Sequence, residues 1–181
     1  MKKSLFAIVV FFAAFAVLPL SGQDFKILDM TKGIYKDGQL PVNFVSYGHA
    51  AYKPLPAVSY KVEDGKKAWV ITKVEGKDGA RFDSYRRYPA QAGDKFILTV
   101  EAKGKGEGFF ILQANSQKGW EGQIGYKSFK VTDKYALYNV EFDVKDMKNP
   151  TKNLYCHFVV KNGSELYIRS INAKVVPGKK K

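Results

Sequence analysis

The sequence predicts an all-β protein, folded as a two-sheet antiparallel β-sandwich of the jelly-roll type. Short runs of alternating apolar and polar residues are broken at regular intervals by turn residues, which is the pattern of β-strands. No stretch repeats apolar residues at helical spacing over three turns. Glu63-Asp64-Gly65 separates two of the runs and indicates a hairpin. The predicted strands cover residues 25–28, 59–62, 67–74, 81–88, 95–103, 108–115, 123–131, 137–145, 153–161 and 165–176.

Three of these strands have a clear apolar face. Because side chains alternate between the two faces of a strand, apolar residues two positions apart lie on the same side. They should therefore form the core between the sheets. The predicted core faces are Phe96, Leu98, Val100 and Ala102; Tyr138, Val140, Phe142 and Val144; and Leu154, Cys156, Phe158 and Val160.

Residues 1–22 read as a secretory signal peptide. Lys2 and Lys3 precede an uncharged apolar segment whose core is too short to span a bilayer as a mature helix. We expect cleavage after Gly22; cleavage after Ala16 and retention as an N-terminal anchor remain alternatives. No cysteine lies near the cut, so a lipoprotein is not expected. The prediction is a secreted or periplasmic protein.

Residues 23–176 have the length of one domain, and residues 177–181 read as a basic, disordered tail. No second apolar run of membrane length follows the signal, so we expect no membrane span after cleavage. Cys156 is the only cysteine, which excludes an intramolecular disulfide, and its apolar surroundings predict a buried thiol.

The formal net charge of the chain is +13, mostly from lysine. A basic secreted protein favours anionic partners such as acidic polysaccharide. The alternative is that the lysines keep the surface soluble and protect the sheet edges. No nucleic-acid-binding motif is present, and together with the signal this predicts no nucleic-acid partner.

Signals of catalysis are sparse. The two histidines, His49 and His157, lie far apart, and no motif of a zinc protease, phosphate loop or serine hydrolase occurs. Cys156 and His157 point to opposite faces of one strand and cannot share a zinc ion. We therefore predict no enzyme activity, no metal and no cofactor. One enzymatic alternative stays open, an acidic-polysaccharide lyase built from Arg81, Tyr85, His157 and Gln113.

The polar residues at the outward-facing positions of the strands are better interpreted as a binding surface. Sugar sites combine flat aromatic rings with planar amides and charged groups on a rigid surface. Side chains of these types fall on outward positions of three strands and in one glycine-flanked loop. The predicted ligand-binding residues are Arg81, Asp83, Tyr85, Arg87, Gln113, Asn115, Trp120, Tyr155 and His157. Tyr85 and Tyr155 could instead be cross-strand pairs, and Trp120 a loop anchor. Trp69 lies between apolar neighbours and is expected in the core.

Several segments resemble the jelly-roll carbohydrate-binding modules that accompany xylanases and glucanases, within the galactose-binding-like sandwiches. The resemblance extends from about Phe25 to Val176. It is carried by residues 38–44, with Pro41 shortly before Phe44, by residues 64–71, by residues 88–104 and by the closing strand at 164–175.

The resemblance implies a secreted, non-catalytic carbohydrate-binding module that holds a polysaccharide on a concave sheet face. The alternative is an envelope or surface structural protein that contacts proteins or polyanions through its basic surface. Many relatives carry paired acidic residues where Arg169 and Ser170 stand, and those acids help to hold a calcium ion. A guanidinium repels a cation, so we expect no such site here.

Overall fold

A computed structural model of the chain describes residues 22–31, 35–84, 86–116, 119–145 and 152–178. The predicted signal peptide lies outside these residues, apart from its last position. Among the described residues, no helical segment has the length and hydrophobicity of a transmembrane span.

The described residues form twelve β-strands and a single turn of 3-10 helix at Ala50–Tyr52. The strands are β1 (Gln23–Asp29), β2 (Phe44–Ser46), β3 (Ala57–Glu63), β4 (Lys66–Thr72), β5 (Ala80–Ser84), β6 (Tyr88–Ala90), β7 (Lys95–Lys105), β8 (Glu107–Ser116), β9 (Gly119–Lys130), β10 (Ala136–Asp143), β11 (Lys152–Val160) and β12 (Glu165–Val176).

Two antiparallel sheets of six strands each make the sandwich. The first sheet has the order β10-β7-β12-β4-β3, with β1 also paired to β12. The second has the order β2-β5-β11-β8-β9, with β6 also paired to β11. The predicted all-β sandwich is confirmed.

The prediction missed β2 and the helical turn, and it drew residues 81–88 as one strand. In the structure this stretch is interrupted, because Ser84 Oγ accepts a hydrogen bond from the N–H of Arg86 at 3.3 Å. A serine that bonds the backbone two residues on favours a turn over a continuing ladder. The chain then returns to the same neighbour, so that β5 and β6 pair with successive parts of β11.

The core lies between the sheets and contains all three predicted apolar faces, although Tyr138 is only partly buried. Trp69 on β4 is fully buried, as expected, and its ring packs against the rings of Phe44, Phe82 and Phe158 at 4.9–6.1 Å between centroids. Since these three phenylalanines come from β2, β5 and β11, Trp69 joins the first sheet to the second.

The outer side of the first sheet is tied together by charged groups. Arg169 on β12 is largely buried; its guanidinium donates to the backbone oxygen of Glu63 at 2.9 Å and stacks on the Tyr135 ring at 3.5 Å. The Glu63 carboxylate pairs with Lys103 at 2.7 Å and Lys61 at 2.9 Å. The Arg169 guanidinium is thus a largely buried cation that donates to an oxygen acceptor of the first sheet.

Glu63 should make the fold sensitive to acid. The hydrogen bonds from Lys103 and then Lys61 lower the pKa of its carboxyl to about 2. A carboxyl with a lowered pKa in the folded state stabilises the fold above its ordinary pKa, and this stabilisation is lost as the pH falls towards the folded value. We therefore expect stability to fall between about pH 4.5 and pH 2 in the wild type and to fall less in Glu63→Gln. Urea midpoints measured across this interval check the expectation, and equal slopes for the two proteins would refute it.

Candidate functional site

The outer side of the second sheet carries most of the predicted binding residues. On β8, Leu112 and Ala114 are buried in the core, and on β11 Cys156 and Phe158 are buried. By alternation, Gln113, Tyr155 and His157 lie on the other side, as the sequence predicted. Arg81 and Asp83 on β5 share that side, because Asp83 is directly opposite His157 in the β5–β11 ladder.

Four of these side chains form a continuous hydrogen-bonded line across three strands, here called the polar row: Arg81, Asp83, His157 and Gln113. Arg81 Nε donates to Asp83 Oδ1 at 2.7 Å. The same oxygen lies 2.9 Å from His157 Nδ1. On the far side of the ring, His157 Nε2 lies 2.8 Å from Gln113 Oε1. The sequence named all four residues, and the register of the strands brings them into contact.

The polar row is partly shielded from water. The exposed fractions of the side chains are 8% for His157, 12% for Arg81 and 23% for Asp83. Burial acts to raise the pKa of Asp83, but hydrogen bonds from His157 and Arg81, together with their charges, outweigh it, so its pKa lies below the ordinary value. Asp83 is therefore ionised, and the side chains of the polar row are held in place by hydrogen bonds to one another. Gln113, which is half-buried, lies at the end of the polar row and reaches the surface.

An aromatic cluster that the sequence reasoning missed lies at one end of the polar row. The Arg81 guanidinium lies 4.1 Å from the centre of the Tyr47 ring, a cation–π contact. Tyr47 in turn packs near His49 at 6.1 Å and Tyr52 at 5.7 Å. These residues lie between the predicted strands at 25–28 and 59–62, where the sequence predicts no strand. The signal in the sequence was the spacing of three ring side chains, Tyr47, His49 and Tyr52, within six residues.

More rings border the row on its other strands. The Arg87 guanidinium lies over the Tyr155 ring at 5.6 Å. On β8 and β9, Phe109 packs edge-on against Tyr126 at 6.3 Å, and 68% of the Tyr126 side chain is exposed. Phe109 also lines a cleft together with Tyr52 and Lys161. The face therefore offers aromatic rings at several points around a polar floor.

Three of the predicted binding residues, Tyr85, Asn115 and Trp120, have side chains outside the described part of the chain. Tyr85 lies outside the described residues. The backbones of Asn115 and Trp120 are paired with each other on β8 and β9, but their side chains lie outside the described part.

Within the described residues, no group of three histidine, cysteine, aspartate or glutamate side chains could hold a metal ion. Cys156 is fully buried in the core, and burial raises the pKa of its thiol far above the ordinary value. A thiol that stays protonated is a poor nucleophile.

No protein-family model and no curated protein matches the sequence. Solved structures of the same fold include a cyclase from Fischerella sp. TAU, with a TM-score of 0.61 and 11% identity, covering 87% of this chain and 100% of the cyclase. The same kind of cyclase in complex with 4-(1H-indol-3-yl)butan-2-one has a TM-score of 0.59 and 11% identity, covering 78% and 89%. A family 29 carbohydrate-binding module in complex with cellulohexaose has a TM-score of 0.47 and 18% identity, covering 86% and 92%.

At these identities the likeness extends to the fold alone. One fold can host different functions, which depend on the residues of the site.

Proposed function

We propose that this protein binds a polysaccharide on the outer side of its second sheet, without catalysis. The observation that carries the proposal is the polar row: four side chains from three strands are held rigidly in one line with aromatic rings beside it. Planar polar groups that are fixed in place can bond sugar hydroxyls, and rings can stack on sugar faces.

The dimensions of the face suit a chain-like ligand. It spans five strands, from β2 with the adjacent Tyr47 to β9 with Tyr126. Four strand spacings of ~4.8 Å make it roughly 19 Å wide. A surface of this length accommodates several sugar units, which fits a polymer better than a single small molecule.

The charge of the polar row favours a ligand with little charge. The Arg81 guanidinium is neutralised by Asp83 at 2.7 Å, and none of the four members is a lysine. Arg87 adds an exposed cation at the margin. The excess positive charge of the chain therefore lies mainly outside the row, so binding at the row depends on shape and hydrogen bonds more than on net charge.

The same geometry supports binding without catalysis over the lyase alternative. A lyase base must reach a substrate proton with a free nitrogen or oxygen. Both ring nitrogens of His157 already have partners within 2.9 Å, and Arg81 is committed to Asp83. We further propose that the protein acts in the periplasm or outside the cell, on the basis of the signal-like N-terminus.

Affinity electrophoresis of the purified protein tests the proposal. The gels contain neutral polysaccharides such as glucan, xylan or mannan, or acidic ones such as alginate or pectin, at low and at high salt. We expect one neutral polysaccharide to retard the protein equally at both salt concentrations, because stacking and hydrogen bonds are little affected by ionic screening.

Other outcomes decide against the proposal. Retardation by acidic polymers alone, fading at high salt, would favour the alternative of a basic surface protein that contacts polyanions. Growth of ultraviolet absorbance on an acidic polysaccharide would reveal a lyase.

A further inference from the structure

His157 occupies the centre of the polar row, with a different partner at each ring nitrogen. Nδ1 faces the carboxylate oxygen of Asp83 at 2.9 Å, and Nε2 faces the amide oxygen of Gln113 at 2.8 Å. The ring is largely buried, whereas Gln113 reaches the surface. His157 therefore acts on anything bound at the face mainly through Gln113.

Asp83 decides which ring nitrogen keeps its proton when the imidazole is neutral. An ionised carboxylate can only accept hydrogen bonds, so the nitrogen beside it must donate. Asp83 is held ionised by Arg81, whose Nε lies 2.7 Å from the same carboxylate oxygen. The neutral ring therefore carries its proton on Nδ1, and Nε2 is left as an acceptor.

Whether Nε2 carries a proton determines which end of the Gln113 amide faces the ring. Against a bare Nε2, the amide must turn its NH2 group to the ring and leave Oε1 facing outward. When the ring takes up a second proton from solvent, Nε2–H donates to Oε1 and the NH2 group faces outward instead. The two arrangements differ by a half-turn of the amide, because its oxygen and nitrogen occupy nearly the same positions.

We propose that His157 is a positioning residue that sets which end of the Gln113 amide is presented at the binding face. Gain of one proton by the ring exchanges an acceptor for a donor there. The consequence for a ligand rests on the proposed function. A sugar hydroxyl can donate or accept and should bind both forms, whereas the carboxylate of a uronic acid only accepts and should prefer the protonated form.

Gln113 is the neighbour that responds to the second proton of His157, because the other groups around the ring are paired with each other or uncharged. Arg81 and Asp83 on β5 are paired with each other, and β8 adds the uncharged Ile111. On β11, its neighbours on the same side are Tyr155 and Val159; Arg87 lies over the Tyr155 ring. Histidine side chains in general change charge between pH 5 and pH 8, so this is the interval in which the exchange is examined.

Nuclear magnetic resonance of the whole protein without ligand tests the proposal directly. Long-range proton–nitrogen spectra of His157 and side-chain amide spectra of Gln113 are recorded from pH 5 to pH 8. We expect a doubly protonated ring at low pH, a ring protonated on Nδ1 alone at high pH, and a Gln113 NH2 signal that follows the same titration. In Asp83→Ala, Nδ1 loses its acceptor, so the neutral ring is no longer held with its proton on Nδ1 and the Gln113 response should weaken.

Any of three results would overturn the proposal. They are a neutral wild-type ring protonated on Nε2, a ring whose protonation is constant over this range, and a Gln113 signal that does not depend on the protonation of the ring. The wild-type spectra decide this even if Asp83→Ala does not fold. Binding is measured separately: affinity for an oligogalacturonate should rise roughly tenfold from pH 8 to pH 5, equivalent to about 1.4 kcal/mol, and affinity for a neutral oligosaccharide should not. Failure to bind any glycan would refute the proposed function and leave the spectra to decide the role of His157.

Discussion

Trp69→Ala is expected to lower the free energy of unfolding by about 3–5 kcal/mol, the usual cost of removing a large aromatic side chain from a core. Trp69 is fully buried and touches rings from three strands of the opposite sheet, so its loss leaves a cavity between the sheets. The rings around it are anchored on different strands and cannot all move inward to fill that cavity. Urea unfolding followed by circular dichroism measures the change.

Two further variants separate the cavity from other effects. Tyr126→Ala removes an aromatic ring that is 68% exposed and should change stability by no more than about 0.5 kcal/mol. Trp69→Phe should cost less than Trp69→Ala, since it keeps a ring in place and removes an indole N–H that has no hydrogen-bond partner among the described residues. Equal losses for Trp69→Ala and Tyr126→Ala would contradict the packing described here.

Tyr155→Ala is expected to weaken glycan binding roughly tenfold to a hundredfold, or about 1.4–2.8 kcal/mol. Tyr155 lies opposite Gln113 in the β8–β11 ladder, so its ring lies beside the end of the polar row that reaches the surface. Removing the ring takes away a stacking surface and also the support under the Arg87 guanidinium at 5.6 Å. Titration calorimetry with the glycan that retards the wild type in gels gives the affinity.

Tyr167→Ala is the matched control. Tyr167 is also a half-buried tyrosine on a central strand and lies near Lys103 at 5.2 Å, but it belongs to the first sheet. Its replacement should leave the glycan affinity unchanged. If Tyr167→Ala weakened binding as much as Tyr155→Ala, the ligand would not be confined to the second sheet. Thermal unfolding of both variants shows whether either loss reflects an unstable fold.

The sequence was most informative where strands are long and half-buried. Period-two alternation placed Gln113, Tyr155 and His157 on the outward side, because one face of each strand must fill the core. The same logic identified the buried face of β7 from Phe96 to Ala102. It failed for β2, since three residues are too few for an alternation to be recognised.

Contacts between strands could not be predicted in the same way. That Asp83 would meet His157, 74 positions later, depends on β5 pairing with β11 in one particular register. Local patterns do not encode such a register, which is set by the packing of the whole sheet. The exposure of His157 also differs from the prediction: it was expected at the surface, and the structure places it, 6% exposed, between Asp83 and Gln113. The stacking of Tyr47 on Arg81 was missed for the same reason.

Mapping of backbone amide chemical shifts shows whether a glycan binds the outer side of the second sheet. The protein is titrated with an oligosaccharide of the polysaccharide that retards it in gels. We expect the largest shifts on β5, β8 and β11, around Asp83, Gln113 and Tyr155. Shifts concentrated on the first sheet, around Tyr167 and Lys103, or scattered over the surface lysines, would contradict it.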